Sequence, residues 1–387
     1  MDYLKFTAGE IFDGYRFLGP GHALIAKGNG MIEDIVPLTE AGDDVRAVQG
    51  IISPGLINCH CHLELSHMKG LLPKGQGLIG FITSVMTSRS SGKEAILQAI
   101  SNADSEMENN GIVAVGDICN TSFTIAEKHQ SRIHYHNFIE ALGFHPDTAH
   151  ERYQAALNVF NLFATDFPGR SSLVPHAPYS VAPSLFKQIN HLPGNQLLSI
   201  HNQESPDENL LFQNASGGFP GFYSELGMRL DFFQPSGKSS LEAVLPHFLR
   251  HQRVILVHNV ETTRADLDAL DNFSNSSAVN FHLCLCPNAN LYISGKLPDV
   301  PMLSSGKQDI VLGTDSLASN DELSILGEMK TISNHFPLIA VEELFSWATL
   351  NGARALQMEK LLGSFERGKI PGIICSSADL TTTVRLL

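Results

Sequence analysis

The chain has 387 residues, of which 43% are hydrophobic and 17% are charged, and its formal net charge is −14 at pH 7. This composition suits a globular protein with one large core or two domains. Nucleic-acid-binding proteins normally carry a basic face, so the acidic balance argues against nucleic acid and anionic membranes as partners. No apolar run approaches the ~18 residues of a membrane helix, and the N-terminus lacks a signal-peptide pattern. We expect a cytoplasmic protein.

The six cysteines favour buried, reduced thiols over disulfides. A chain of this length can fold without covalent crosslinks, and it carries no export pattern. Cys59 and Cys61 alternate with two histidines, whereas Cys284 and Cys286 form a CxC pair within an apolar run. A CxC zinc half-site is the alternative interpretation of that second pair.

The apolar pattern changes near residue 50. Residues 1–50 show short apolar stretches broken by glycine and aspartate, which predict a small set of antiparallel strands. Beyond them, strand-like runs alternate with helix-like segments, and the predicted strands are 51–57, 111–117, 133–140, 172–175, 197–200, 254–257, 281–286 and 310–313. This alternation indicates an α/β protein with a closed (β/α)₈ TIM-like barrel. A doubly wound open sheet is the alternative fold, but the glycine-rich phosphate loop typical of it is missing.

The last 25 residues return to short β-like runs that we expect to pair with the N-terminal strands. The predicted organisation is a barrel over 53–362 and a small discontinuous β domain formed by 1–52 and 363–387. Two long connections, 63–93 and 202–253, would lie on the face where the barrel strands end. Such loops are candidates for substrate lids.

His60 and His62 stand one residue apart in the segment SPGLINCHCHLELSHMKG. Residues i and i+2 of a strand share one face, so both imidazoles should project together from a strand end. Neutral imidazoles are good zinc ligands. The chain holds 17 histidines, however, and two surface or hydrogen-bonded histidines are the alternative for an isolated HxH pair.

Side chains able to bind a metal or move a proton recur at the predicted strand ends: His60, His62, His176, His201, His258 and Asp315. In a parallel barrel all strand C-termini open on one face, and catalytic residues come from several of them. So many histidine and aspartate residues at these positions indicate one shared site.

His60, His62, His201 and Asp315 offer three imidazoles and one carboxylate, which leaves a coordination position for water. This set predicts one divalent metal, with Zn²⁺ favoured and Fe²⁺ or Mn²⁺ as alternatives. Glu204, three residues after His201, is placed to act as an acid/base group beside the metal.

Several motifs together resemble the metal-dependent amidohydrolase superfamily, in the branch of chlorohydrolases and aminohydrolases of nitrogen heterocycles. The motifs are PGLINCHCHLE, HAPYS, HNQES, VHN, CPNANLYI and GTDSLASN. The resemblance implies the barrel fold and the same four metal ligands. It implies Glu204 as the proton shuttle, His258 as a group touching the water or the leaving group, and Asp315 as a second catalytic residue.

The resemblance also implies a single metal. Binuclear members of the superfamily usually bridge two metals with a carboxylated lysine at the end of strand four, where this chain reads PHAPYS. Lys187, in a helix-like stretch, is the only lysine between Glu140 and His201. Four residues in or beside the motifs are candidates for substrate binding: His176, Glu64, Ser319 and Asn320.

These inferences predict a hydrolytic deaminase that releases ammonia from an aminopurine-like nucleoside. The motif HLELS, followed by a helix that contains Gly-Phe-Ile, resembles the aminodeoxyfutalosine deaminases of the alternative menaquinone pathway. Aminodeoxyfutalosine is therefore the first candidate substrate, and adenosine-type nucleosides are the next. One alternative is a chlorohydrolase or a deaminase of guanine, cytosine or a triazine, and a second is a catalytically inactive binding barrel. The expected partner is a small-molecule substrate, and a homo-oligomer is left open.

Overall fold

The computed structural model describes residues 3–387, and its elements follow the alternation expected from the sequence. The strands are β1 (Tyr3–Thr7), β2 (Glu10–Ile11), β3 (His22–Lys27), β4 (Ile32–Pro37), β5 (Arg46–Ala47), β6 (Ile51–Pro54), β7 (Leu56–Cys61), β8 (Ile112–Cys119), β9 (His134–Ala141), β10 (Ser171–Pro175), β11 (Leu197–Asn202), β12 (Arg253–His258), β13 (Asn280–Leu285), β14 (Asp309–Leu312), β15 (Ile373–Ser376) and β16 (Thr383–Arg385). The helices are α1 (Gly77–Ser88), α2 (Lys93–Asn109), α3 (Ile125–Gln130), α4 (Ala149–Asp166), α5 (Pro183–Asn190), α6 (Pro206–Asn214), α7 (Phe219–Glu225), α8 (Ser240–Val244), α9 (Arg264–Ser277), α10 (Pro287–Ser294), α11 (Val300–Ser304), α12 (Ile325–His335), α13 (Val341–Ser346) and α14 (Gly352–Ala355).

Strands β7–β14 form the barrel. Each strand from β7 to β10 pairs in parallel with the next, and so does each strand from β11 to β14. Cys61 at the end of β7 bridges in parallel to Asp315 just after β14. Between β10 and β11 the amide of His201 donates to the carbonyl of His176 at 2.9 Å. The α/β barrel expected from the sequence is confirmed.

The barrel strands are apolar along their whole length because helices cover them outside and side chains fill the barrel inside. In β8 every residue is buried. The covering helices show the matching stripe, and in α2 the buried positions include Ile96, Ile100, Ala103 and Met107. This three- and four-residue spacing puts one face of the helix against the sheet.

Strands from both chain ends form two smaller sheets, ordered β4-β3-β1-β5 and β16-β15-β6-β2. In the second sheet β15 pairs antiparallel with β6, with Cys375 opposite Ile52. Phe6, Leu24, Ile52 and Phe365 are buried in their shared core. Since β6 extends to Pro54, the N-terminal β segment ends beyond residue 52.

The single strand expected over 51–57 is wrong, because the chain divides it at Gly55 into β6 and β7. A Cβ at Gly55 would lie 2.2 Å from Val113 Cγ1, so only glycine allows this close approach. The barrel strand then continues to Cys61, which places His60 inside β7 and His62 directly after it.

The two long connections fold into helices above the strand ends. The first, after β7, carries a 3₁₀ turn over Leu63–Met68 and then α1, and the second, after β11, carries α6, α7 and α8. All six cysteines are buried and unpaired by disulfides. Within residues 3–387, the helices are all too short or too polar to cross a membrane.

Candidate metal centre and active site

Three imidazoles and a carboxylate converge where β7, β11 and β14 end. Nitrogen atoms of His60, His62 and His201 lie within 4.8 Å of one another. The Nε2 atoms of His60 and His62 are 3.2 Å apart, and Oδ1 of Asp315 lies 3.5 and 3.4 Å from them. All four residues are less than a tenth exposed.

These separations fit a shared metal ion. Two nitrogens bound 2.0–2.1 Å from a tetrahedral zinc are about 3.3 Å apart, close to the separation of the two Nε2 atoms. Nδ1 of His201 lies 2.8 Å from the carbonyl oxygen of His176 and donates to it, which leaves Nε2 with its lone pair for a metal. The four donors therefore suit one divalent cation.

Burial sets the protonation states that metal binding needs. It lowers the pKa of His62 to about 3 and lowers the pKa values of His60 and His201 as well, so the imidazoles stay neutral near pH 7. Burial opposes ionisation of Asp315, but its contacts with His60 and His62 hold the pKa of this carboxyl below its usual range. The site thus presents neutral nitrogens and an anionic oxygen.

The backbone around Asp315 is tightly held. Asp315 has a φ of +56°, a left-handed conformation that is uncommon outside glycine. Its amide and that of Thr314 both donate to the carbonyl of His60 at 3.0 Å. Ser319 donates from Oγ to Asp315 Oδ2 at 2.5 Å, which fixes the carboxylate orientation. These bonds offset the strain of the left-handed backbone.

Glu204 and His258 face each other beside the histidine cluster. Their Oε1 and Nε2 atoms are 3.6 Å apart, and His258 Nδ1 lies 2.8 Å from Asn290 Oδ1. Burial raises the pKa of Glu204 to about 7, although His258 opposes the rise. A carboxyl with a pKa near neutral pH can both accept and donate a proton during a reaction.

A cavity of about 300 Å³ opens above these groups. One side holds His62, His201, Glu204, His258 and Asp315, which we call the metal corner. The other side, which we call the α1 wall, is apolar and consists of Leu65, Leu78, Phe81, Ile82, Val85 and Met86. The candidate catalytic groups and the apolar side chains thus line the same cavity.

The structure separates the four substrate-binding candidates. His176 lines the cavity, and its Nδ1 lies 2.6 Å from Ser180 Oγ. Glu64, Ser319 and Asn320 are not among the residues that line this cavity, and their contact with substrate stays a prediction. Each of the three forms hydrogen bonds with other residues of the protein.

These three residues form hydrogen bonds with protein groups, although Glu64 Oε1 has no hydrogen-bond partner among the described residues. Glu64 accepts hydrogen bonds from the amides of Asn120 and Thr121 and from the Thr121 hydroxyl. Asn320 donates to the carbonyl of Thr314 and to Glu328, and the Ser319 hydroxyl binds Asp315. They support the walls of the site.

The cavity residues that were not singled out in the sequence include Arg89, Asn120, Glu140 and Tyr179. Glu140 occupies the end of β9 and Asn120 follows β8, so the rule that found the histidines also applies to these two. Arg89 follows α1 and Tyr179 lies in a 3₁₀ turn after β10, where no strand-end signal exists.

Comparison with known proteins agrees with the fold. Adenosine deaminase of Helicobacter pylori is 28% identical over 326 residues, which cover 82% of this chain and 77% of that protein. The crystal structure of Helicobacter pylori aminofutalosine deaminase in complex with methylthio-coformycin superposes with a TM-score of 0.79 at 24% identity, covering 97% of this chain and 92% of that one. An adenosine deaminase from Xanthomonas campestris with bound zinc superposes with a TM-score of 0.72 at 20% identity, covering 97% and 84%.

The family resemblance carried by the motifs is also confirmed. The model of the amidohydrolase family matches residues 51–384, which span the barrel together with strands β6, β15 and the start of β16. Since this match covers most of the chain, the protein belongs to the amidohydrolase family and is a hydrolase that acts on carbon–nitrogen bonds.

Proposed function

We propose that this protein is a mononuclear, metal-dependent deaminase of purine nucleosides that releases ammonia. The observation that carries the proposal is the convergence of three buried imidazoles and the Asp315 carboxylate beside Glu204 and His258. The deaminase names of the similar proteins support the reaction. Zinc in the Xanthomonas campestris structure supports zinc as the metal, held by His60, His62, His201 and Asp315.

The residues have distinct roles in the proposed reaction. A divalent cation held by the four ligands supplies Lewis acidity and makes water acidic enough to ionise near neutral pH. Glu204 takes a proton from the attacking water and delivers it to the adjacent ring nitrogen, which its pKa of about 7 allows. His258 Nε2 would contact the attacking water or the leaving group, since its Nδ1 donates to Asn290 Oδ1, and Asp315 would move the second proton to the departing amine.

The first candidate substrate is aminodeoxyfutalosine, an adenine nucleoside that carries a carboxyphenyl group, and adenosine-type nucleosides come next. The α1 wall supports a nucleoside with an apolar substituent, because Phe81, Val85 and Met86 would pack against an aryl or alkyl group. With the first substrate the enzyme would serve menaquinone biosynthesis in the cytoplasm. A dechlorinase or a deaminase of another heterocycle would use the same metal corner.

An ammonia-release screen of zinc-loaded protein tests the proposal. The panel contains aminodeoxyfutalosine, adenosine, 5′-methylthioadenosine, guanine, cytosine and a chlorotriazine. We expect adenine nucleosides to be deaminated fastest, with about one metal per chain by elemental analysis. A His60→Asn variant, which lacks one ligand, serves as the control and should lose both metal and activity. Preferential release of chloride from the triazine, or turnover of guanine or cytosine alone, would favour the alternative.

A further inference from the structure

The cavity is also lined by a group of polar side chains that belong to neither the metal corner nor the α1 wall as defined above. This group consists of Glu140 at the end of β9, Asn120 after β8 and Arg89 after α1. The proposed deamination chemistry assigns no role to these three side chains. Their presence in the wall of the cavity therefore calls for a ligand group of matching chemistry.

Glu140 has one satisfied and one free carboxyl oxygen. Its side chain is only 4% exposed. Oε2 accepts a hydrogen bond from Asn120 Nδ2 at 3.1 Å. Oε1 has no hydrogen-bond partner among the residues that the structure describes. A buried oxygen without a partner costs free energy, and a substrate group that binds it would recover that cost.

Glu140 does not complete the metal corner. Its Oε1 lies 3.7 Å from His201 Nδ1, beyond hydrogen-bond distance. That nitrogen already donates to the carbonyl of His176 at 2.8 Å. Because the imidazole proton is engaged elsewhere, the Glu140 carboxyl does not orient His201. Its free oxygen is left for a ligand.

The surroundings select the kind of ligand group. A partner for Oε1 must donate to it when the carboxyl is ionised and accept from it when the carboxyl is protonated. Arg89 lines the same cavity, and its guanidinium, 3.7 Å from Glu64, disfavours an ammonium group there. A neutral hydroxyl both donates and accepts, so it matches either protonation state of the carboxyl.

We propose that Glu140 binds the 2′- or 3′-hydroxyl group of the substrate's sugar and so makes the enzyme selective for ribonucleosides over free bases and 2′- or 3′-deoxynucleosides. The inference rests on the proposed nucleoside deaminase function and deepens it. Glu140 would be a specificity-determining residue that takes no part in the proton transfers at the ring. Asn120 would hold its second oxygen and so fix the carboxyl plane.

The test compares adenosine, 2′-deoxyadenosine and 3′-deoxyadenosine as substrates of the zinc-loaded wild type and of Glu140→Gln. In the wild type, removal of the bound hydroxyl leaves the buried carboxyl unpaired, and kcat/KM should fall on the order of 10- to 100-fold. In Glu140→Gln, Asn120 keeps the remaining oxygen, so the amide turns its NH₂ to the cavity. That variant should be slower on adenosine and should discriminate less than about threefold among the three nucleosides.

Asp104→Asn provides the matched control. Asp104 lies on α2, outside the cavity lining, and is also a buried acid, but its carboxyl accepts hydrogen bonds from the hydroxyls of Tyr135 and Ser131. It should keep the wild-type discrimination. Zinc content and thermal unfolding confirm that each variant is folded and loaded.

Two results would overturn the inference alone: a wild type that treats all three nucleosides alike, or a Glu140→Gln variant that keeps the wild-type ratios. The first result needs no variant, so the test does not depend on the folding of Glu140→Gln. A wild type that deaminates free adenine but no nucleoside would overturn the inference and the proposed function together.

Discussion

The metal corner and the α1 wall share one cavity but are built in opposite ways. The metal corner comes from the ends of barrel strands, and its imidazoles and carboxylate are less than a tenth exposed. The α1 wall comes from a helix inserted after β7, and residues such as Ile82, Val85 and Met86 are half-buried or exposed. One side is fixed by sheet hydrogen bonds, and the other rests on side-chain packing.

This difference suggests separate roles for the two regions, the chemical step for the metal corner and substrate recognition for the α1 wall. Strand ends hold catalytic groups to a fixed geometry because each is tied to its neighbours by the parallel ladder. An inserted helix can change its side chains without disturbing that ladder, so it suits the recognition of different substituents. We therefore expect changes in the metal corner to reduce the rate of the chemical step and changes in the α1 wall to affect substrate binding.

The largest expected effect is that of Glu204→Gln. The variant keeps shape and burial but removes the proton carrier, so kcat should fall on the order of 10³-fold while zinc content stays near one per chain. Steady-state kinetics and elemental analysis measure the two quantities. Glu151→Gln, an exposed change on α4, is the control and should behave as wild type. Undiminished turnover by metal-loaded Glu204→Gln would refute the assigned role.

The next largest effect concerns the stability of the chain segment at Leu63, which we call the joint because it connects the metal corner to the α1 wall. Asp117 accepts the amide proton of Leu63, where the chain leaves the metal corner for the α1 wall, at 2.8 Å. Its other oxygen binds Lys128 Nζ at 2.5 Å, and both side chains are fully buried. Removing the cation would leave Asp117 charged without a partner. Lys128→Met should therefore lower the free energy of unfolding by about 3–5 kcal/mol.

Urea unfolding measures this loss of unfolding free energy, and two further variants serve as controls. Lys128→Met combined with Asp117→Asn should regain part of the stability, since no charge is left unpaired. Lys74→Met breaks the exposed pair with Asp321 and should change the unfolding free energy by less than about 0.5 kcal/mol. Equal losses in Lys128→Met and Lys74→Met would show that the buried pair does not brace the joint.

The sequence was more informative about the metal corner than about the rest of the cavity. Strand periodicity and the residues at strand ends predicted the barrel and brought His60, His201 and Asp315 together, because sheet geometry fixes where such residues point. It missed the break at Gly55, since the need for glycine arises from Val113, distant in the chain. The α1 wall carries no such rule, because which face of an inserted helix meets the substrate depends on tertiary packing.

The smallest expected effect tests the α1 wall. Phe81 is half-buried, lines the cavity and packs against the cluster of Met68, Leu72 and Ala318. Phe81→Ala should raise KM about 10-fold for 5′-methylthioadenosine, whose apolar substituent loses a contact, and less for adenosine.

In Phe81→Ala, kcat and zinc content should stay near wild type, because the strand-end ligands are anchored independently of α1. Michaelis kinetics with both nucleosides measure the separation, and Leu97→Ala on α2, outside the cavity lining, is the matched apolar truncation. A fall in kcat with unchanged KM would instead couple the α1 wall to the chemical step. The two sides of the cavity would then act as one unit, and the division between rigid chemistry and adaptable recognition would not hold.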